Sequence, residues 1–199
     1  MNVNKGARGT SFPAARDPMI YTVECSFADP ICEAQWNDFY SLKKLPALIS
    51  VSGFHTSQRF KALSAGCPAY LAIHSIDNLD VLQADEYRQK GGGNFARWQQ
   101  HIIDWHRNLY DGLDRAPAIA EDEHLAVCAI GPEPLMEMGL RPCLMQAVGL
   151  ENFPERRWLA KRVRADELGV HHLPKGVHLY APMTAQLTNG REAAPLASR

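Results

Sequence analysis

Three short β-rich segments carry the residue types that acid–base chemistry requires. Glu24 lies in MIYTVECSF, His55, Ser57 and Arg59 lie in GFHTSQRFKAL, and His74 lies in AYLAIHSI. Successive side chains of a strand point to opposite faces of its sheet. If the more apolar set of each strand faces covering helices, these five polar residues share the opposite, open face.

This grouping predicts a site for proton transfer. A carboxylate beside an imidazole orients the ring and tunes its basicity, and a guanidinium can hold a carboxylate or enolate oxygen. We therefore predict Glu24, His74 and Arg59 as catalytic residues, with His55 and Ser57 as ligand-binding neighbours. A structural alternative stays open, in which Glu24 and Arg59 form an ion pair that serves only the scaffold.

The elements that must position these residues follow in a recognisable order. Strand, helix, hairpin, interrupted helix and strand succeed one another from Met19 to about Leu113, an order typical of the ferredoxin-like βαββαβ unit. The second helix is expected from Leu79 to Lys90 and again from Asn94 to Trp105, because Gly91–Gly93 interrupts it. We read these glycines as a hinge, since no phosphate-binding motif surrounds them.

The second half of the chain is expected to be mostly β. HLAVCAIG, PCLMQAVGL, RRWLAKRV and VHLYAPMTAQL each have strand character. We predict an α+β fold with a flexible N-terminal extension (1–18), a ferredoxin-like βαββαβ unit (19–114), a β-rich second half that is a possible degenerate repeat (115–188) and a tail that frays from Asn189 (189–199). Helices on one face leave the other sheet face uncovered. Either the second half or a second subunit must cover it, and we predict a homodimer.

The first half also resembles a known superfamily. Five segments are similar to those of dimeric α+β barrel proteins, particularly EthD-like members. They are MIYTVECSFADP, the helix with Trp36 and Phe39-Tyr40, PALISVSGFHTSQRF, AYLAIHSID and the helix through Tyr87 and Trp98. The resemblance implies a barrel with a small-molecule cavity. It also implies that the end of the second helix approaches the cavity mouth, so His101 and Trp105 are predicted to bind ligand. An ordinary surface histidine and a core tryptophan are the alternatives.

Composition excludes several classes of function. The net charge is −1, with 21 basic and 22 acidic residues, so no dense basic face for nucleic acid is expected. No apolar run has the length of a membrane span, and the five cysteines, never spaced as CxxC, favour reduced thiols in the cytoplasm. We expect no cofactor and no metal, because His171, His172 and His178 share no spacing with a carboxylate or cysteine.

Three functions remain open at this point. The first is a small-molecule enzyme of the isomerase, cyclase, decarboxylase or cofactor-free monooxygenase type. The second is a binding or sensing module without catalysis. The third is a haem protein, which the resemblance allows and for which His74, His101 or His106 would be axial ligands.

Overall fold

The structure, a computed structural model, describes residues 18–164 and 173–190. In these ranges nine strands run antiparallel: β1 (Met19–Phe27), β2 (Phe54–Ala62), β3 (Tyr70–Ile76), β4 (Ile102–Asp111), β5 (Glu123–Cys128), β6 (Cys143–Leu150), β7 (Arg156–Val163), β8 (Val177–Pro182) and β9 (Leu187–Thr188). The predicted extension up to residue 17, residues 191–199 of the predicted tail, and His171 with His172 lie outside the described residues.

The helices are short. They are α1 (Glu33–Phe39), a π-helical turn (Tyr40–Lys44), α2 (Leu45–Ile49), α3 (Asp80–Gln83), α4 (Asp85–Gln89), a 3₁₀ helix (Ala96–His101) and α5 (Glu133–Glu137). None in the described ranges is long and apolar enough to cross a bilayer.

Eight of the strands close into a barrel within one chain. The strand order is β3-β1-β4-β6-β7-β5-β8-β2, and pairing between β2 and β3 completes the ring, while β9 extends the pairing of β2. The first half has the order β4-β1-β3-β2, which confirms the predicted ferredoxin-like arrangement. The second half repeats this order as β8-β5-β7-β6, so it covers the sheet face that the helices leave open. The division of the chain at residue 114 stays a prediction.

Two apolar layers follow from this closure. The barrel interior is filled by side chains such as Ile20, Leu71, Leu125, Met145 and Leu159. A second layer lies between the outer face of the first-half strands and the first-half helices, which therefore all cover one face. It is rich in aromatic rings, among them Tyr21, Trp36, Tyr40, Phe54, Tyr87, Phe95 and Trp98.

Two sequence predictions about the chain path are wrong. Residues after Gly93 do not resume an α-helix to Trp105, because β4 begins at Ile102 and pairs with β1, Phe27 with Ile102 and Glu24 with His106. Pairing with a central strand satisfies the backbone better than a short helix after three glycines. The predicted tail does not fray from its first residue either, since Asn189 is buried and its amide donates to the carbonyls of Val51 and Phe54.

Candidate active site

The register between β1 and β3 separates the predicted catalytic residues. Tyr21 pairs with His74, and Glu24 pairs with Leu71. Paired residues share a face of the sheet, so His74 lies in the helix-covered layer with Tyr21, whereas Glu24 lies in the barrel interior with Leu71. The prediction that Glu24 and His74 lie side by side is therefore wrong.

Glu24 has a different partner from the one that was predicted. Arg157, on β7 of the second half, donates through Nη2 to Oε2 of Glu24 at 2.5 Å. Both side chains are almost fully buried, with 11% of Arg157 and 4% of Glu24 exposed. The expected structural ion pair thus exists, but it joins Glu24 to Arg157 across the barrel instead of to Arg59.

Arg59 anchors α1 and the π-helical turn to β2. Its guanidinium donates to the side chain of Asn37 (2.7 Å) and to Oγ of Ser41 (3.1 Å). It also lies 4.4 Å from the ring centre of Tyr40 and 4.5 Å from that of Trp36. Only 1% of Arg59 is exposed, so the geometry favours a scaffold role.

His74 is held as a neutral imidazole. Its Nδ1 is 2.8 Å from Oγ of Ser57, and its ring stacks on Tyr21 at 5.5 Å. Burial, and secondarily the nearby Lys44 cation, lower the pKa of His74 to about 3. Because so low a pKa makes a weak base, His74 suits positioning or hydrogen bonding better than proton abstraction.

The other predicted ligand-binding residues are dispersed. Nε2 of His55 pairs with Oδ1 of Asp77 at 2.6 Å, and Ser57 is occupied by His74. His101 ends the 3₁₀ helix and packs against Phe27. Of these residues, Trp105 alone lines a cavity in the helix-covered layer.

That cavity, which we call the aromatic pocket, contains the buried ammonium group of Lys44. Its lining includes Tyr21, Tyr40, Lys44, Tyr87, Phe95 and Trp105. The free volume is about 10 Å³, so the pocket is closed around its own side chains. The hydroxyls of Tyr21 and Tyr87 lie 3.1 Å apart, and burial raises the pKa of both groups.

Lys44 points into the aromatic pocket from the π-helical turn. Only 6% of the residue is exposed, and no carboxylate pairs with it in the described part of the chain. Its Nζ donates to the carbonyls of Gly91 (2.5 Å) and Asn94 and lies 4.7 Å from the ring centre of Phe95. Burial lowers the pKa of Lys44 to about 8.

The local sequence explains why Lys44 lies inside. Trp36, Tyr40 and Lys44 follow one another at intervals of four residues, and all three are buried. Two apolar residues of the same stretch, Ile31 and Leu42, are by contrast 92% and 72% exposed. Single π-helical turns inside helices occur frequently at functional sites. The four-residue spacing of Trp36, Tyr40 and Lys44 did not reveal a buried face in the sequence, because lysine is expected to be exposed.

A larger groove runs along the outer side of the same helices. It has a volume of about 630 Å³ and is lined by α1, the π-helical turn and the 3₁₀ helix, including Phe39, Leu42, Lys43, Arg97 and Trp98. The two cavities are lined by residues adjacent in sequence. Lys43 and Ala96 line the groove, whereas Lys44 and Phe95 line the aromatic pocket. The ionisable residues that line the groove are exposed, whereas the aromatic pocket holds the buried Lys44 with its shifted pKa. The aromatic pocket is therefore the stronger candidate site.

Comparisons with known proteins define the class of fold. No protein-family model matches the sequence, and no curated protein matches it significantly. Among solved structures, an anthrone oxidase-like protein is 8% identical with a TM-score of 0.52, over 94% of this chain and 98% of that one. A "putative monooxygenase" from Lactobacillus acidophilus is 11% identical with a TM-score of 0.51, over 87% and 97%. Another protein so named, from Fusobacterium nucleatum, is 8% identical with a TM-score of 0.50, over 75% and 77%.

These similarities show the fold. The chain has an α+β barrel fold of the dimeric α+β barrel type, here closed by two halves of one polypeptide.

Proposed function

We propose that the chain is a small-molecule enzyme that moves a proton to or from a planar aromatic substrate in the aromatic pocket, with Lys44 as the acid–base group. The observation that carries this proposal is the buried ammonium of Lys44, which has no carboxylate partner among the described residues. A buried charge without a counter-ion is costly. Proteins keep such groups where the shifted pKa is useful.

The pKa of Lys44 suits proton transfer near neutral pH. A catalytic group works best when its pKa is close to the working pH, and acid–base catalysis typically contributes about 10²–10⁴ in rate. With a pKa of about 8, roughly a tenth of Lys44 is neutral at pH 7 and available as a base. After it takes the proton, the ammonium lies beside the new oxyanion and stabilises it in surroundings that exclude water.

The lining of the aromatic pocket supports an aromatic substrate. Lys44 lies over the rings of Tyr40 and Phe95, and Trp105 lines the same pocket. Planar ligands pack well against such rings. The hydroxyls of Tyr21 and Tyr87 are the nearby donors that can hold a phenolic or carbonyl oxygen. His74, stacked on Tyr21, is proposed to position that ring, while the contacts of Glu24 and Arg59 support structural roles for both residues.

Substrate entry requires the pocket to open. A volume of about 10 Å³ is far smaller than an aromatic molecule, so some wall must move. The segment Gly91–Asn94 borders the pocket through Gly93, and Lys44 holds it through the carbonyls of Gly91 and Asn94. Gly91 and Gly93 have positive φ, which glycine adopts readily. We propose that this segment moves outward and frees Lys44 to bind the substrate oxygen.

Oxygenation is the first reaction to test among those that begin with proton abstraction. The solved structures that share this fold include an anthrone oxidase-like protein and a "putative monooxygenase". In that reaction, Lys44 would remove a phenolic or enolisable proton and dioxygen would be the oxidant. Isomerase and cyclase reactions share the first step without the oxidant.

The test uses a panel of phenols and enolisable aromatic ketones with the full-length protein. Oxygen uptake reports oxygenation, and deuterium incorporation from D₂O, followed by NMR, reports proton abstraction. We expect turnover that rises with pH toward a plateau above about pH 8 and falls about 10²-fold or more in Lys44→Met. Lys43→Met is the matched control, because Lys43 lies in the solvent-open groove.

Three results would decide against this proposal. Equal turnover in Lys44→Met and wild type would remove Lys44 from the chemistry. Absence of uptake and of exchange across the panel would also contradict it. Binding without turnover, seen as quenched tryptophan fluorescence, would favour the sensing module instead.

Three broader properties belong to the same proposal. We propose that the chain is an EthD-like member, on the resemblance of the strand and helix segments of its first half. A cytoplasmic location is supported by the five free cysteines. A homodimer is supported by exposed apolar residues on and after β6, namely Leu144, Val148 and Phe153, although the barrel itself no longer requires a partner. Light scattering at micromolar concentration tests the dimer, and the mass of one chain would refute it.

A further inference from the structure

Three metal-binding side chains converge at the edge of the helix-covered layer, outside the aromatic pocket. Asp29 and Cys32 lie in the turn between β1 and α1, and His101 lies at the end of the 3₁₀ helix. One ligand atom from each residue lies within 4.8 Å of the other two. We propose that Asp29, Cys32 and His101 bind a divalent transition-metal ion, with Zn²⁺ as the preferred ion.

The backbone holds the two contributing segments in fixed relation. Ala28 N donates to the carbonyl oxygen of His101 at 2.8 Å, which joins the turn directly to the end of the 3₁₀ helix. The ring of His101 also packs on Phe27, with centres 5.5 Å apart. The site is therefore assembled from two segments that are already in contact, and a metal ion would need only side-chain adjustments.

The side chains of the turn are arranged around the same point. Sγ of Cys32 lies 3.0 Å from Oδ2 of Asp29 and donates its proton there. Oδ1 of Asp29 accepts from the backbone N–H of Ile31 at 2.9 Å, which fixes the carboxylate and leaves Oδ2 toward the thiol. Replacing the shared proton by a metal ion satisfies both atoms, and the proton leaves to solvent.

The donor set selects the class of metal. Cysteine sulfur, histidine nitrogen and a carboxylate oxygen are the ligands of protein zinc, usually in tetrahedral geometry. A thiolate disfavours Mg²⁺ and Ca²⁺, which prefer oxygen. Three protein ligands leave a fourth position for water. The sequence expectation of no metal missed this site because His101 is distant in sequence from the Asp-x-x-Cys turn.

The experiment measures Zn²⁺ binding by the untagged, full-length, reduced protein in competition with a chromophoric chelator. We expect one equivalent of tightly bound Zn²⁺, and at least about 100-fold weaker binding in Cys32→Ser and in His101→Gln, since even indirect contacts to a metal are worth about 10–100-fold. Cys143→Ser is the matched control, because Cys143 is exposed and remote in sequence from the three proposed ligands. It should bind like wild type.

Two further measurements make the site assignment independent of those variants. Co²⁺ in place of Zn²⁺ should give a thiolate-to-metal charge-transfer band in the near ultraviolet. Zn²⁺ should also protect Cys32 from iodoacetamide, as read by mass spectrometry, while Cys143 in the same molecule stays reactive. Asp29→Asn, which keeps the size of the side chain, covers the case in which Cys32→Ser folds poorly.

Several outcomes would overturn the proposal. They are no Zn²⁺ binding by the wild type, binding that Cys32→Ser and Asp29→Asn leave unchanged, and a Co²⁺ spectrum without a thiolate band. Binding that disappears in His171→Gln/His172→Gln but persists in His101→Gln would place the metal elsewhere and would equally refute it.

Discussion

Breaking the ion pair between Glu24 and Arg157 should destabilise the whole barrel. The pair joins β1 of the first half to β7 of the second half across the interior. Glu24→Gln leaves the Arg157 cation buried without a counter-charge, and Arg157→Met leaves the Glu24 carboxylate in the same position. Each substitution nearly conserves volume, so the packing of the interior is little changed.

The size of the effect follows from burial and distance. With a 2.5 Å contact and no more than 11% of either side chain exposed, water screens the pair weakly. At an effective dielectric constant near 20, two charges about 4 Å apart attract by about 4 kcal/mol. Loss of one partner of a buried pair typically costs about 3–5 kcal/mol. We expect about 3 kcal/mol for Glu24→Gln, because the amide oxygen still accepts one hydrogen bond.

The assay is urea unfolding followed by circular dichroism on wild type, both single variants and Glu24→Gln/Arg157→Met. We expect the double variant to lose less than the sum of the singles by about 2–3 kcal/mol, as coupled contacting residues do. Asp85→Asn is the control, since its ion pair with Arg88 is exposed on both sides and should be worth less than about 1 kcal/mol. Single losses below 1 kcal/mol, or additive losses, would refute this account of the barrel interior.

Three more predictions concern buried groups of the helix-covered layer. The pKa of Lys44 falls from 10.5 in the unfolded chain to about 8 in the folded one, so unfolding takes up a proton between pH 8 and pH 10.5. The unfolding free energy of wild type, relative to that of Lys44→Met, should therefore rise with pH across that range by up to about 3 kcal/mol. A difference that does not change with pH would contradict this prediction. Because the pKa of His74 falls from 6.5 to about 3, wild type should lose stability as the pH drops through that interval, and His74→Gln should lose less in acid-unfolding titrations. Arg59→Met should lower the unfolding free energy by about 2–3 kcal/mol in urea titrations. Full stability in Arg59→Lys would contradict a role for the paired hydrogen bonds that the guanidinium donates to Asn37 and Ser41.

Most strand positions, and the strand order of the first half, could be predicted from the sequence. β1, β2, β3, β5, β6 and β7 lie where alternating or apolar β-rich segments predicted them. The start of β4 could not be predicted, since Phe95, Trp98, Ile102 and Trp105 are spaced as on a helix. Pairing of β4 with β1 overrode that local pattern, as tertiary contacts often do.

The assignment of sheet faces succeeded on one strand and failed on two. On β1, Tyr21 faces the helices and Glu24 the opposite side, as predicted. On β2 and β3 the apolar residues Phe60, Leu71 and Ile73 were assigned to the helices but line the barrel interior. The polar residues Arg59 and His74 face the helices instead. The assumption that the apolar side of a strand faces the helices holds only when the other face of the sheet is exposed to solvent. A closed barrel buries both faces of its sheet.

Barrel closure also explains why the candidate site lies outside the barrel. Eight strands enclose an interior just wide enough for side chains to fill it, and here Ile20, Leu71, Leu125 and Met145 fill it without help from a partner chain. The aromatic pocket lies instead between sheet and helices, where a short glycine-rich segment borders it through Gly93. Lys44 holds that segment closed and is also the group whose pKa suits proton transfer. In the proposed mechanism one residue couples the opening of the pocket to its chemistry, so a variant that frees Gly91–Asn94 without removing the ammonium should bind aromatic ligands faster and still turn them over.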